Sequence, residues 1–144
     1  MMTNFSIRPY DDGDYQAVAA LWLACNLTRY WNNPAKDIEF CQHSPASELF
    51  VGVIETQIIA TVMAGHDGHR GVIYYLAVDP DQQGNDLGRT MVRHGENWLK
   101  ELGVWKVNLM IRDDNQPVRA FYQAIGYEEE PRIVMARRLE EKPD

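Results

Sequence analysis

The sequence predicts an α/β fold, a mixed sheet with helices on its faces. In the middle of the chain, three short apolar segments follow one another with only turn residues between them, the pattern of a strand meander. Around them lie four helix-like stretches, three with apolar residues at helical spacing and two closed by a glycine. The 144 residues, 45% hydrophobic, contain no repeat, low-complexity run or linker, which implies a single domain over 1–144 large enough to bury its own core.

Each element has a local cause. FSIRP is a short opening strand. In DDGDYQAVAALWLACN the acidic residues suit a helix start, and Tyr15, Val18, Leu21, Trp22 and Cys25 recur at helical spacing. Asn33 and Pro34 open a second, more polar helix that runs towards His43. ELFVGVIE, a TQ turn and IIATVMAG read as a hairpin, and HDGHRG turns the chain into a third strand, VIYYLAV. Strict alternation would put Tyr74 and Tyr75 on opposite faces of that strand. Leu87, Met91, Gly95, Trp98 and Leu102 form one stripe of a helix that Gly103 ends, and Gly95 would let that helix approach a sheet closely. VWKVNLMI alternates as a strand does. Asn115, Gln116 and Pro117 begin a last helix with Val118, Phe121, Tyr122 and Ile125 on its apolar side and Gly126 as its stop. RIVMARRL reads as a final strand, and EEKPD as a frayed tail about 140–144.

Composition narrows the function. A net charge of -7 without a basic cluster argues against a nucleic-acid partner and suits a cationic or neutral small molecule. MMTNFSIRPYDDGD lacks the basic then apolar pattern of a secretory signal, and no apolar run is long enough to cross a bilayer, so a cytoplasmic location with no membrane partner is expected. Cys25 and Cys41 lack C-x-x-C spacing and read as two buried thiols. H-D-G-H-R offers two histidines without a clear third ligand, so no metal is expected.

The stretch VDPDQQGNDLGRTMV carries the most information. A strand, a glycine-bearing loop and a helix start would present backbone N–H groups to a phosphate. It is not a dinucleotide fingerprint, because the glycine spacing is wrong and Trp105 and Lys106 stand where an acidic residue belongs. Nor is it a P-loop, since Gly88 is followed by Arg89 and Thr90. Two readings of Asp86 remain. It either keeps a left-handed turn with its carboxylate in solvent, or caps the helix with that carboxylate and takes the amides a phosphate would need.

The loop resembles the acyl-CoA pyrophosphate loop of the GNAT superfamily of N-acetyltransferases. That pattern is Arg or Gln, two residues, Gly, one residue, then Gly or Ala. Gln83 matches its first position, Gly88 its last, and Asp86 replaces the middle glycine. NQPVRAFYQAIGYEE resembles the same family's later block at Asn115, Phe121, Tyr122, Gly126 and Tyr127. LTRYWNNP, GHDGHRG and YYLAV are similar to a small bacterial branch, the YpeA-like proteins.

The resemblance implies a three-layer α/β/α fold with a mostly antiparallel sheet of six to seven strands and about four helices. It also implies acetyl transfer from acetyl-CoA to an amine in a ternary complex. Cofactor contacts are then expected at Leu76, Ala77 and Val78, at Gln83, Gly84, Asn85, Asp86, Leu87, Gly88 and Arg89, and at Asn115. A backbone N–H near Ala77 or Val78 would polarise the thioester carbonyl. Tyr122 matches the family's general acid, and a phenol is protonated at neutral pH.

The acceptor would be a small molecule or peptide amine, gripped by Arg29, Trp31, Asn32, Tyr75 and His69. VIYYLAV lacks the carboxylate that many relatives use as a base, so His69, Asp67 or a water chain is left for that task. The missing base and the intrusive Asp86 also admit a second reading, a catalytically silent acyl-CoA binding module. Either could act as a monomer or a homodimer.

Overall fold

The structure, a computed structural model, describes residues 4–29 and 32–140. The chain forms two compact units, divided between Met110 and Ile111. The first holds β1 (Phe5–Pro9), α1 (Tyr15–Ala24), α2 (Pro34–Gln42), β2 (Ser47–Ile54), β3 (Gln57–His66), β4 (Gly71–Val78), α3 (Leu87–Glu101) and β5 (Val107–Asn108). The second holds α4 (Gln116–Ala124).

The helix starts follow from their caps. Asn33 accepts the Lys36 N–H with Pro34 beside it, and Asn115 accepts the Val118 N–H with Pro117 in the first turn. Each side chain satisfies a donor that the helix itself cannot. Ahead of α1, Asp11 and Asp14 form a reciprocal capping box.

The strands form one sheet in the order β1-β2-β3-β4-β5, antiparallel except for the parallel pair of β4 and β5. Alternation along the strands sorts the core into two clusters. Leu49, Val51, Val53, Met63 and Ala77 meet Val18, Leu21 and Trp22 of α1 and Ile38 and Cys41 of α2. Phe50, Ala60, Val62, Ala64 and Ile73 meet Met91 and Leu99 of α3. The sheet therefore lies between two helical layers. Gly95 allows the approach of α3, since a Cβ there would lie 3.3 Å from Ile73 Cδ1 and 3.4 Å from Ala64 Cβ.

Five strands form among the described residues, where six to seven are predicted. VWKVNLMI contributes only Val107–Asn108 to the sheet; Trp105 is exposed, with the Arg70 guanidinium 4.6 Å from its ring centroid. RIVMARRL forms no strand, and Ile133, Met135 and Leu139 are exposed. Alternation makes a segment fit to be a strand, but only a neighbour's hydrogen bonds make it one. Leu102, assigned to the α3 stripe, lies past the helix end and is half exposed, while Val92 and Leu99 are buried instead.

An irregularity in β4 determines which way the end of that strand faces. Met63 pairs with Tyr74 but Thr61 pairs with Ala77, so β4 carries one extra residue, a bulge at which Tyr75 takes a left-handed φ of 51°. The extra residue reverses the strand's parity. Ile73 belongs to the α3 side of the core and Ala77 to the α1 side, although both are odd-numbered. The expected alternation of Tyr74 and Tyr75 therefore fails where the two residues meet.

The backbone reverses too. Gly71 N–H donates to Lys106 C=O on the β5 side, whereas Asp79 N–H donates to Ile59 C=O on the β3 side. With period two restored beyond the bulge, the N–H groups of Leu76 and Val78 face the β5 edge, and that of Ala77 faces β3. The β5 ladder ends at the Val72–Asn108 pair, so Ile73 to Val78 have no strand partner on that edge among the described residues.

Candidate acyl-transfer site

After the open edge the chain turns through a short 3-10 helix, Pro80–Gln82, capped by the Asp79 carboxylate. The Gln83 side chain folds back and donates from Nε2 to Val78 C=O at 3.1 Å. Asn85 donates from Nδ2 to Gln82 C=O, and Gly84 takes a φ of 91° that suits its lack of a Cβ. Asp86 is left-handed as well, with φ 65° and ψ 15°.

Of the two readings of Asp86, the structure holds the first. Its side chain makes no cap hydrogen bond and is exposed, so the N–H groups at the head of α3 are not taken by it. Its main-chain carbonyl accepts the first helical bond, from the Thr90 N–H at 3.1 Å, and a second from Thr90 Oγ1 at 2.9 Å. Among the described residues no ion pair joins Asp86 to Arg89, and both side chains are exposed. Leu87 is buried and anchors the turn to the core, while Gly88 is half-buried.

This arrangement suits an extended anionic ligand. The uncapped first turn of a fifteen-residue helix offers converging N–H donors and the positive end of its dipole, and the Leu76 and Val78 amides lie one strand length before it. A free strand edge holds an extended chain through its main-chain groups. The Ala77 amide, expected to share in this, faces β3 instead.

A polar cluster sits at the bulge. The Tyr75 ring stacks on Trp22 with centroids 3.8 Å apart and planes within 10°. Trp22 Nε1 donates to Thr61 Oγ1 at 2.8 Å, and Thr61 Oγ1 donates in turn to Tyr75 C=O at 2.8 Å, the carbonyl that the bulge removes from the ladder. Thr61 is the buried polar residue among those described, and its hydroxyl both accepts and donates. The Tyr75 hydroxyl donates to Asp37 Oδ2 at 2.5 Å and accepts from Asn32 Nδ2 at 2.8 Å. Burial first, and the bond to Asp37 second, push the Tyr75 phenol well above its usual range, so it stays protonated.

Other expected site residues are placed differently. Asn32 is occupied in bracing its own loop, accepting the Arg29 N–H at 2.7 Å and donating to Leu27 C=O at 3.1 Å. Arg29 is half-buried in that turn; Tyr30 and Trp31 lie outside the described residues. His69 and Asp67 sit in the β3–β4 turn, at the opposite end of β4 from the bulge. At about 3.3 Å of rise per residue, that is about 20 Å from Leu76. The Asp67 carboxylate is spent on the Arg70 and His69 N–H groups, which hold it below the usual carboxylate range.

In the second unit, Asn115 is engaged as the α4 cap. Tyr122 is buried, edge-on to Phe121 and Tyr127 at 5.0 and 5.4 Å. Cys25 and Cys41 are free thiols that burial pushes upward; Cys25 Sγ donates to Val78 C=O at 3.3 Å. No group of three His, Cys, Asp or Glu able to hold a metal occurs among the described residues, and no helix there is long and apolar enough to cross a membrane.

Sequence reasoning missed Asp37. Its signal was a tyrosine in the middle of an apolar strand, whose hydroxyl needs a partner from the helices packed on that face.

A sheet between helical layers, with one strand bulged and unpaired ahead of a helix whose first turn has no side-chain cap, is an arrangement that can hold an extended anionic ligand. The family model for the acetyltransferase (GNAT) family matches residues 15–127, and the chain belongs to that family. An acetyltransferase of Yersinia enterocolitica serotype O:8 is 39% identical over 135 residues, covering 92% of this chain and 94% of its own length. An acetyltransferase of Pectobacterium atrosepticum is 37% identical over 133 residues, with the same coverage of 92% and 94%. Among solved structures, the aminoglycoside antibiotic 6'-N-acetyltransferase of Acinetobacter baumannii superposes with a TM-score of 0.77 at 18% identity, covering 93% of this chain and 97% of that one. Glucosamine-6-phosphate N-acetyltransferase of Arabidopsis thaliana does so with a TM-score of 0.71 at 22% identity, covering 94% and 99%. These likenesses agree with the three-layer fold, and the chain is an acetyltransferase of a family that uses acetyl-CoA.

Proposed function

We propose that this acetyltransferase moves the acetyl group of acetyl-CoA to an amine by direct transfer in a ternary complex, as a member of the YpeA-like bacterial branch. The observation that carries the reading is the uncapped head of α3 behind a left-handed Asp86, next to the open edge at Leu76 and Val78. The residues fit the cofactor: first-turn amides and flanking Gly84 for the diphosphate, edge amides for the pantetheine arm. Bound acetyl-CoA would supply the thioester. The Leu76 and Val78 amides would orient it and polarise its carbonyl. Tyr122 is assigned the proton for the departing thiolate on the strength of its match to the family motif. The matched span 15–127 crosses Met110, which supports reading 1–144 as one functional domain.

The grounds for a silent binding module are the missing carboxylate base and the intrusive Asp86. Asp37 of α2 brings a carboxylate to the bulge, and Asp86 leaves the first-turn N–H groups of α3 free of its side chain, so both observations favour transfer.

Calorimetry with acetyl-CoA on the native chain and on Asp86→Gly tests the cradle. At about 5 Å an added like charge costs about 1 to 3 kcal/mol, so the variant should bind about tenfold or more tightly, with the turn kept because glycine accepts its φ. No binding by the native chain, or equal or weaker binding by the variant, overturns the proposal.

A further inference from the structure

The identity of the acceptor is the open question, and the polar atoms at the bulge narrow it. The Tyr75 hydroxyl donates its proton to Asp37 and accepts from Asn32 Nδ2, so it carries no charge and has no proton left to give. Both N–H groups of Asn32 are spent on Leu27 C=O and Tyr75, and its oxygen accepts from Arg29. One polar atom of the cluster remains. Asp37 uses Oδ2 for Tyr75, and its Oδ1 has no hydrogen-bond partner among the described residues.

The position of that oxygen is fixed from three sides. Asn33 caps α2 and sets the helical phase that turns Asp37 towards the sheet, and the Asp37 N–H donates to Asn33 C=O at 2.9 Å. The Tyr75 ring cannot swing, because it lies flat on the fully buried Trp22. Tyr75 is also the residue immediately before Leu76, the first amide on the open edge. The Asp37 carboxylate is thus tied, through the half-buried Tyr75 side chain, to the residue next to the strand segment assigned to the thioester, in a chain whose net charge of -7 attracts cations.

Resting on the acetyl-transfer reading above, we infer that Asp37 Oδ1 receives the acceptor's ammonium group and takes its first proton, so that the acceptor is a primary alkylamine presented as its cation. The ammonium N–H bond breaks and the proton passes to Asp37, then to solvent. The freed nitrogen pair forms the N–C bond to the acetyl carbon while the C–S bond breaks. The sulfur leaves with the electron pair and is protonated, and the nitrogen gives up its second proton, leaving a neutral amide. Asn32 and Tyr75 are positioning residues that hold the carboxylate. The raised phenol agrees, since a tyrosine kept protonated at neutral pH can steer a carboxylate but cannot act as the base.

The test measures thiol release from acetyl-CoA with a set of primary alkylamines and with neutral arylamines, for the native chain, Asp37→Asn and Asp37→Glu. Calorimetry of acetyl-CoA and of the best alkylamine is run on the same three proteins. Native protein should favour alkylamines. Asp37→Asn should lose about tenfold to a hundredfold in kcat/KM and in alkylamine affinity, the range expected for one charged hydrogen bond, while its acetyl-CoA affinity stays unchanged. Asp37→Glu should recover part of the loss.

An Asp37→Asn protein that keeps its amine affinity and kcat/KM overturns the inference. So does one that loses acetyl-CoA affinity in step, which would mean a structural role, or a native preference for arylamines. If the native chain binds no acetyl-CoA, the transfer reading fails on its own, and the alkylamine calorimetry still decides whether Asp37 is the cation site.

Discussion

The two faces of the sheet are built on different principles. Under α3, Phe50, Ala60, Val62, Ala64 and Ile73 meet Met91 and Leu99, a buried contact of apolar side chains with His94 edge-on to Phe50 and no bonded chain among them. Under α1 and α2 the same strands carry a bonded chain from Trp22 through Thr61 to Tyr75 and on to Asp37. The first face depends on shape and tolerates any filling of the right volume. The second depends on partners, and each member lost strands another. Asp37, the carboxylate proposed for the acceptor, belongs to the second face, where a polar residue can be held in place by bonds that the apolar contact cannot provide.

The sharpest way to break this contrast is Thr61→Val, which keeps the volume and removes only the hydroxyl. It strands the Trp22 indole N–H and the Tyr75 carbonyl, both at a buried position. At about 1 to 3 kcal/mol for each unsatisfied group, a loss of about 2 to 6 kcal/mol is expected in urea denaturation. A loss below about 1 kcal/mol would show that the two groups find other partners and that the bonded chain has no special status.

The matching change on the apolar face is Gly95→Val. Its branched side chain would press on Ile73 and Ala64, which already stand 3.3 and 3.4 Å from the place a Cβ would take, and overpacking of this kind costs about 1 to 3 kcal/mol. Acetyl-CoA affinity should be unchanged per folded molecule. A drop in affinity without a drop in stability would show that the two faces are not independent.

The smallest effect belongs to a surface pair that serves neither face. Arg8 holds Asp14 at 2.7 and 2.9 Å, and this bond, helped by the Asp11 N–H, keeps the Asp14 carboxyl below the usual range. A lowered carboxylate adds stability that is complete above its unfolded value and is lost as the pH falls through the folded one. Because the Arg8 side chain is 44% exposed, that contribution is below about 1 kcal/mol. Asp14→Asn should therefore remove a shallow loss of stability between about pH 5 and 3 in thermal melts. A large change there would place more weight on the entrance to α1 than either face suggests.

The helices and the left-handed turn before α3 were legible because their causes are local. Asn33 with Pro34, Asn115 with Pro117, and the Gln83 to Arg89 stretch each act within four to six residues of themselves. The bulge was not legible, because nothing in VIYYLAV marks Tyr75 as left-handed; its φ is held by Trp22 and Thr61, distant in sequence. Asp37 was missed for the same reason, since it meets Tyr75 across 38 positions and reads in isolation as one more charge on a polar helix. RIVMARRL shows the opposite error. Its alternation is real, but among the described residues it joins no ladder.

The extra residue in β4 acts as a twist in a ribbon. Drawing the strand straight, with Tyr75 kept as a regular position of the ladder, would turn the far half over. The Ala77 methyl would swing under α3, Leu76 would lean towards Trp22, and the main-chain hydrogens now offered to a ligand would be handed to β3. A chain that lost the bulge without losing a residue could keep its sheet, its helices and the turn at Asp86 and still have nothing to hold an acyl chain along that edge.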